Sequence, residues 1–230
     1  MICFLMINKI KNILLFLFGM LYSLLIFPQV NDAALWLSIN AEKKINPLLS
    51  VNLSQEFRIN ENITELGTFF TDAGITYKIN KYIRFSANYR FTNKRRFDDS
   101  YSKRHRYYFD ITVREKTKSF VFQFRTRFQS QYADIYSSAD GKIPSYYSRN
   151  KFTTKIDLDK KITPYISVEL FSPLNKHKIF KIDNARYCGG FEYEINRMHS
   201  FDLFYMLQRE YNVNNPQTDY ILGIEYNIVF

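Results

Sequence analysis

Histidine is the side chain best suited to acid–base chemistry near neutral pH, and this sequence has three: His105, His177 and His199. His105 has Ser102 and Asp110 nearby in the chain, and Ser, His and Asp are the residues of a hydrolase triad. Nothing in the spacing compels a triad, and polar histidines at strand ends or in loops are the simpler interpretation. We therefore predict no catalytic residues and no enzyme, with a lipid hydrolase built on His105 and Ser102 as the alternative.

The sequence offers little for metal or redox chemistry. Cys188 is the single cysteine beyond the N-terminal segment that contains Cys3, so we expect no internal disulfide and no cysteine metal cluster. Asp98 and Asp99 form an acidic pair that could hold calcium, but solvated surface charge is the simpler interpretation. We predict no metal and no cofactor.

Charged residues that strand alternation would place on one face are distributed unevenly along the chain. Between positions 84 and 127 most of these residues are arginines, and between 169 and 225 most are acidic. The basic set is Arg84, Arg90, Arg104, Arg106, Arg114, Arg125 and Arg127. The acidic set is Glu169, Glu192, Glu194, Asp202, Glu210 and Glu225.

Strands must position these charges, because period-2 alternation dominates the chain after its N-terminal segment. In residues 82–93 (YIRFSANYRFTN), apolar and aromatic side chains alternate with polar ones, and no stretch shows a convincing helical period. We identify eleven such segments. They are 34–45, 49–59, 69–79, 82–93, 104–115, 118–131, 151–159, 165–171, 185–195, 200–211 and 219–230.

The connections between these segments alternate in length. Short ones lie near 45–48, 79–82, 115–119, 159–164 and 195–198, and longer ones lie near 60–67, 93–103, 133–149, 172–184 and 212–218. This pattern is typical of an outer-membrane barrel, which has short periplasmic turns and longer extracellular loops. Because single-chain bacterial barrels usually have an even number of strands, we predict 10–12 strands and favour twelve.

The last segment favours a membrane barrel over a soluble periplasmic β-protein, which is the alternative for the same alternation. From Tyr220 to Phe230, apolar or aromatic side chains occupy every second position. A terminal aromatic with this pattern resembles the signal read by the outer-membrane assembly machinery, here Tyr226, Ile228 and Phe230. We therefore predict an all-β, transmembrane, antiparallel up-and-down barrel.

The N-terminal segment is typical of a cleaved signal peptide. Lys9 and Lys11 precede a fifteen-residue apolar run, 13–27, which is shorter than the roughly 20 residues of a spanning helix. We assign 1–29 to the signal peptide, with cleavage between 28 and 33, and 30–230 to the barrel. A single N-terminal membrane anchor is the alternative that the length of the run disfavours.

The formal charge is +10, and removing Lys9 and Lys11 leaves +8 for the mature chain. A basic excess can indicate a nucleic acid partner, but no basic helix or run is present that would follow a phosphate backbone. We predict outer-membrane lipid and, during biogenesis, the barrel assembly machinery as partners, and no nucleic acid.

In a closed barrel the basic and acidic sets would form two arcs of the lumen wall that face one another. They would either fill the bore as arginine–carboxylate pairs or leave a narrow channel with a transverse field for small polar solutes. We favour the filled bore, because barrels of 8–12 strands have little space inside.

Several short motifs resemble the domain-of-unknown-function 2490 family, predicted outer-membrane proteins common in the Bacteroidetes. The motifs are Leu35-Trp36-Leu37, Glu42-Lys43-Lys44, Ser54-Gln55-Glu56-Phe57-Arg58, Asp72-Ala73-Gly74-Ile75-Thr76-Tyr77-Lys78, Ala87-Asn88-Tyr89-Arg90 and Arg106-Tyr107-Tyr108-Phe109-Asp110. The resemblance implies a barrel in the outer membrane of a Gram-negative bacterium. It implies no assigned activity, so no catalytic residue carries over.

Overall fold

The computed structural model describes residues 30–133, 143–158, 160–175 and 181–230, and these form one sheet of eleven strands. The strands are β1 (Val30–Lys44), β2 (Leu49–Asn60), β3 (Glu65–Lys78), β4 (Ile83–Arg95), β5 (Tyr101–Thr117), β6 (Phe120–Ala133), β7 (Ser145–Ile156), β8 (Ile162–Pro173), β9 (Asn184–Glu194), β10 (His199–Glu210) and β11 (Gln217–Val229). Within the described ranges, no helix is long and apolar enough to cross a membrane. The predicted signal peptide, 1–29, lies outside the described residues and stays a prediction.

The sheet closes into a barrel in which each strand pairs with the next and β1 pairs with β11. Successive strands are antiparallel, so with eleven of them β1 and β11 run in the same direction. Their hydrogen bonds show this: the Phe230 amide donates to the Glu42 carbonyl, and the Lys44 amide donates to the Phe230 carbonyl. The predicted β-barrel is confirmed. The favoured count of twelve is wrong, because one parallel seam allows an odd number to close.

The short connections share a sequence and a mechanism. Three of them begin with Ile-Asn, and the side chains of Asn46, Asn80 and Asn196 each accept two backbone N–H bonds from the residues two and three positions later. Such Asx turns form a compact hairpin without glycine. These turns lie at the same end of the barrel as Phe230, which we call the short-turn end.

The opposite end, which we call the long-loop end, carries the connections after β2, β4, β6, β8 and β10. The connection after β2 was expected to be long, but it is only 61–64, because β2 and β3 extend further than the apolar alternation indicated. The turn is tight, with positive φ at Glu61, Asn62 and Ile63. The Asp32 carboxylate accepts the amides of Glu61 and Asn62 at 3.2 and 2.8 Å, which fixes this turn against β1.

The outer surface of the barrel is apolar. Many large apolar side chains are exposed there, and Ile75, Phe128 and Ile166 are 53%, 49% and 67% exposed. Aromatic rings contact one another near both ends, for example Phe69 with Tyr101 at 5.3 Å at the long-loop end. An apolar band between aromatic girdles is the surface of a barrel that faces lipid.

Two glycines let one aromatic ring lie flat against the lumen wall. Phe204 on β10 faces Gly190 on β9 and Gly223 on β11 in direct register. A Cβ added at Gly190 would approach the Leu203 carbonyl oxygen to 2.6 Å, and one at Gly223 would meet the Phe204 ring. Gly189 points outward, and a Cβ there would contact nothing within 4 Å. The Gly189-Gly190 pair therefore reflects close packing at Gly190.

We expect Gly190→Ala to destabilise the barrel by about 1–3 kcal/mol, because the new methyl group overlaps backbone atoms of β10. The measurement is the urea midpoint of unfolding in detergent micelles, and the folded-band shift on an unheated gel monitors the folded fraction. Gly189→Ala is the matched control, since the neighbouring glycine faces open space, and it should unfold like the wild type. Equal midpoints for the two variants would show that the packing of Phe204 does not limit stability.

Candidate functional site

Four aromatic side chains on the lumen face each have an arginine guanidinium over the ring. All four positions interrupt the polar side of the strand alternation. The pairs, with the distance from the guanidinium carbon to the ring centroid, are Arg58 on Trp36 (3.6 Å), Arg90 on Phe70 (3.6 Å), Arg127 on Tyr108 (3.8 Å) and Arg149 on Phe171 (4.3 Å). These are cation–π contacts, each worth roughly 0.5–2 kcal/mol depending on desolvation.

Further contacts connect these pairs around the bore. Arg58 also lies 5.0 Å from Phe70. Arg186 on β9 contacts both Phe171, at 4.8 Å, and Trp36 on β1, at 5.0 Å. We call the set of Trp36, Phe70, Tyr108, Phe171 and Arg58, Arg90, Arg127, Arg149, Arg186 the arginine–aromatic ring.

Carboxylates on the same or the adjacent strand hold the guanidinium groups in place. Arg127 donates two bonds of 2.7 Å to Asp110, its direct register partner. Arg90 donates two bonds to one oxygen of Asp72, its register partner, with an Nε–oxygen distance of 2.8 Å. The Arg58 Nε bonds the Glu56 carboxylate at 2.6 Å. These pairs therefore run along the wall, and they are too local to bridge the bore.

Glu169 has the largest number of basic partners among the carboxylates that the structure describes. Arg149 bonds both of its oxygens, at 3.2 and 2.9 Å, Arg125 bonds one at 2.5 Å, and Arg186 lies 3.7 Å away. The Glu169 side chain is 6% exposed. One buried anion thus anchors arginines from β6, β7 and β9.

An apolar cluster fills the lumen beside the seam between β1 and β11. It consists of Ala34, Trp36, Phe204 and Ile221, against which Tyr165, Cys188 and Met206 pack. Ile221 is fully buried and Trp36 is 9% exposed. These side chains form the apolar core of the lumen.

A cavity of about 660 Å³ adjoins the ring, and we call it the vestibule. Its lining residues lie on both sides of the ring, from Glu210 toward the long-loop end to Glu225 toward the short-turn end. Nine basic and five acidic side chains are among its lining residues. The basic ones are Arg58, Arg90, Lys94, Arg106, Arg125, Arg127, Arg149, Lys151 and Arg186, and the acidic ones are Glu56, Glu169, Asp183, Glu210 and Glu225.

The structure brings some of the predicted wall residues together and separates others. Seven line the vestibule, namely Arg90, Arg106, Arg125, Arg127, Glu169, Glu210 and Glu225. Arg114 and Glu194 are exposed near the short-turn end, and Arg84 is half-buried there. Arg104 is half-buried nearer the long-loop end.

The remaining two predicted acidic residues do not line the vestibule. The Tyr165 hydroxyl lies 2.9 and 3.0 Å from the two Asp202 oxygens and donates one hydrogen bond shared between them, and Glu192 pairs with Lys155. Cys188, the register partner of Met206, lies half-buried and packs against the apolar cluster. These residues fill the lumen between the ring and the short-turn end.

The structure does not bring His105 together with Ser102 and Asp110. His105 faces outward, where its Nδ1 lies 2.7 Å from the Tyr89 hydroxyl and its ring contacts Phe91. Ser102 and Asp110 are buried on the lumen face, and Asp110 is bound by Arg127. His199 lies 2.8 Å from the Tyr226 hydroxyl at the short-turn end, and His177 lies outside the described residues.

The acidic loop pair, Asp98 and Asp99, is bound by neighbouring groups of the same chain. The Ser100 hydroxyl and amide both donate to Asp98, at 2.6 and 3.2 Å, and these bonds lower the pKa of Asp98 below its usual value. Arg95 bonds Asp99 at 2.6 Å. Among the residues that the structure describes, no cluster of three or more His, Cys, Asp or Glu side chains could hold a metal ion.

Comparison with models of known protein families identifies the family of this barrel. The model of the family described as "Protein of unknown function (DUF2490)" matches residues 33–219, which is most of the chain. The chain belongs to the DUF2490 family. Its ring residues, from Trp36 to Arg186, all lie within the matched region.

Among solved structures, this DUF2490 barrel is similar to the crystal structure of the β-domain of the Bordetella autotransporter BrkA. The TM-score is 0.50, the sequences are 8% identical, and the match covers 79% of this chain and 82% of that chain. At this identity the similarity shows an outer-membrane-type barrel fold alone. A comparison with curated protein sequences found no significant match.

The sequence did not lead us to predict the four aromatic members of the arginine–aromatic ring or three of its arginines, Arg58, Arg149 and Arg186. A signal was present, since Trp36, Phe70 and Tyr108 stand at positions where strand alternation expects polar residues. An aromatic residue on the polar face of a strand, with arginine on the neighbouring strand, indicates a stacked pair inside the barrel.

We expect Glu169→Gln to destabilise the barrel by about 3 kcal/mol, because it leaves three arginines without their shared buried anion. The urea midpoint in micelles measures this, and Glu194→Gln is the control because Glu194 is exposed at the short-turn end. Unfolding of Glu169→Gln at the wild-type midpoint would show that the three arginines do not need the negative charge of Glu169, because solvent in the lumen already screens their charge.

Proposed function

We propose that this chain is a non-enzymatic outer-membrane barrel whose bore is closed at the arginine–aromatic ring. The burial of lumen-facing side chains at the ring carries this proposal: Trp36, Arg149 and Ile221 are 9%, 6% and 0% exposed. In a water-filled channel these side chains would be wet. Here they contact one another or the apolar cluster, so these side chains are packed although a cavity adjoins them.

Three features support the outer membrane of a Gram-negative bacterium as the location. The outer surface is apolar between aromatic girdles, and the fold is similar to an autotransporter β-domain. The outward face of β11 carries Tyr226 and Ile228 and leads to the exposed Phe230, the arrangement predicted to be read by the assembly machinery. With the short-turn end in the periplasm, the long connections lie at the cell exterior.

Fractionation of cells that express the full chain tests the location. We expect the protein in the outer-membrane fraction, and we expect a faster-migrating folded band that disappears when the sample is boiled. A protein recovered from the soluble periplasmic fraction, without this band shift, would instead be a soluble β-protein.

A narrow pore for small polar solutes is the second candidate, and the vestibule favours it. The cavity is large enough for a small solute, and basic side chains predominate in its wall. Both candidates share the fold and the location, and they differ in whether ions cross the ring.

Conductance in planar lipid bilayers separates them. We expect no conductance steps from the wild type, and discrete steps from Trp36→Ala, because removing the indole opens a gap between Arg58 and Arg186. Ser38→Ala, a small change two positions away on the same face of β1, should stay silent. Steps from the wild type would favour the narrow pore, and a folded but silent Trp36→Ala protein would contradict closure at the ring.

A further inference from the structure

Every short connection of the barrel combines an exposed basic residue with exposed apolar ones. The basic residues lie in the connection itself or at the strand end beside it, and we call the following set the basic rim: Lys43, Lys81, Lys118, Lys160 and Arg197. The apolar side chains are 38–58% exposed, and they are Ile45, Leu48, Ile79, Tyr82, Phe120, Leu158, Ile162, Ile195 and Met198. Because the five connections follow one another around the closed sheet, this combination surrounds the short-turn end.

Aromatic side chains on the outer surface show the depth at which the basic rim lies. At the short-turn end, the ring centroids of Phe120 and Phe122 are 6.2 Å apart, and those of Phe201 and Tyr226 are 4.9 Å apart. Aromatic rings at the end of an apolar band lie at the headgroup level of a bilayer. Lys118 precedes Phe120 by two residues, so its carbon chain can lie along apolar side chains while its ammonium group lies at the level of the lipid phosphates.

Three residues of the basic rim carry positive charge that the described part of the chain leaves unpaired. Lys43, Lys118 and Arg197 are exposed, and they form no ion pair with any described residue. Lys81 differs from them, because it has the exposed carboxylate of Glu115 as an electrostatic neighbour. The three unpaired residues belong to the connections after β1, β5 and β9, which are spread around the barrel. A partner that binds all three must therefore extend around the circumference.

We propose that the basic rim binds the headgroups of anionic phospholipids in the leaflet at the short-turn end. The proposal rests on the membrane location proposed above and adds the class of lipid. Lysine and arginine close to a bilayer attract anionic headgroups, whose phosphate oxygens accept their N–H bonds. A phospholipid fits both parts of the pattern, since its acyl chains contact the apolar residues and its headgroup contacts the cation. A soluble acidic protein would leave the apolar residues without an apolar partner.

Spin-labelled lipids measure this selectivity. We would reconstitute the full mature barrel in phosphatidylcholine vesicles that contain a trace of either phosphatidylglycerol or phosphatidylcholine, spin-labelled on the acyl chain. Electron paramagnetic resonance then gives the fraction of each label whose motion the barrel surface restricts. We expect phosphatidylglycerol to associate about threefold more strongly than phosphatidylcholine at low salt, and the two lipids to become equal at high salt, because salt screens exposed charges.

A triple variant tests the contribution of the basic rim. The combination of Lys43→Gln, Lys118→Gln and Arg197→Gln removes the three unpaired cations, and it should lose most of the preference for phosphatidylglycerol. The substitutions lie in exposed positions at the end of the barrel, so the fold should be kept. The folded-band shift on an unheated gel checks this.

A matched control removes three cations from the same end of the barrel that face the lumen. It combines Lys44→Gln, Lys78→Gln and Arg114→Gln, so it changes the net charge by the same amount. The neighbours Lys43 and Lys44 illustrate the difference between the two variants. Lys43 is the register partner of Val51 on the outer surface, and Lys44 is the register partner of Ser50, which is buried on the lumen side. The control should keep the preference of the wild type.

Three results would overturn the proposal, and they are distinguishable. Equal association of the two lipids with the wild type at low salt would show that the basic rim does not select anionic headgroups. A full preference in the outward triple variant would place the lipid contact elsewhere on the barrel. Restriction of neither label would contradict the membrane location itself, and with it this proposal.

Discussion

The interior of this barrel depends on how permanent positive charges are accommodated among buried side chains in the lumen. Each arginine of the ring has an aromatic face beneath its guanidinium group and a polar partner at its edge. Arg127, for example, stacks on Tyr108 and binds Asp110, both from β5. Where the partners come from a neighbouring strand, as for Arg127 and Arg90, the contact also fixes the register of a strand pair.

The need to neutralise buried charge also explains why the predicted basic and acidic sets do not form two separate walls that face one another. Asp72 and Asp110 lie within the basic arc, where they neutralise Arg90 and Arg127. Arg149 and Arg186 lie against Glu169 in the acidic arc. Charge separated across the whole bore would leave each wall unpaired in a dry interior, which is costly. Local pairing removes most of that cost.

The apolar cluster packs at the one parallel strand pair that the odd strand number creates. Closure by eleven strands makes the pairing of β1 with β11 parallel, and parallel pairing is slightly less stable per residue than antiparallel pairing. The cluster of Trp36, Phe204 and Ile221 packs on the inner surface of this seam. Gly190 and Gly223 allow Phe204 to lie flat there. Side-chain packing therefore supports the sheet where its backbone pairing is least favourable.

The sequence by itself determined the strands, their two faces and the end at which the short turns lie. These features are local, since alternation and turn residues act within a few positions of one another. The strand count illustrates the limit: eleven segments are visible in the alternation, but whether the first and last can pair is a property of the closed sheet. Only the tertiary structure decided that they pair in parallel.

The tertiary structure also decided which charges meet. From the sequence, Arg125 and Glu169 are two members of opposing sets, and Trp36 is an isolated aromatic at a polar position. Their contacts arise from strand pairing and closure, which bring β6 to β8 and β9 to β1 across dozens of intervening residues. Periodicity assigns a residue to the lumen, whereas register and barrel closure assign its partner.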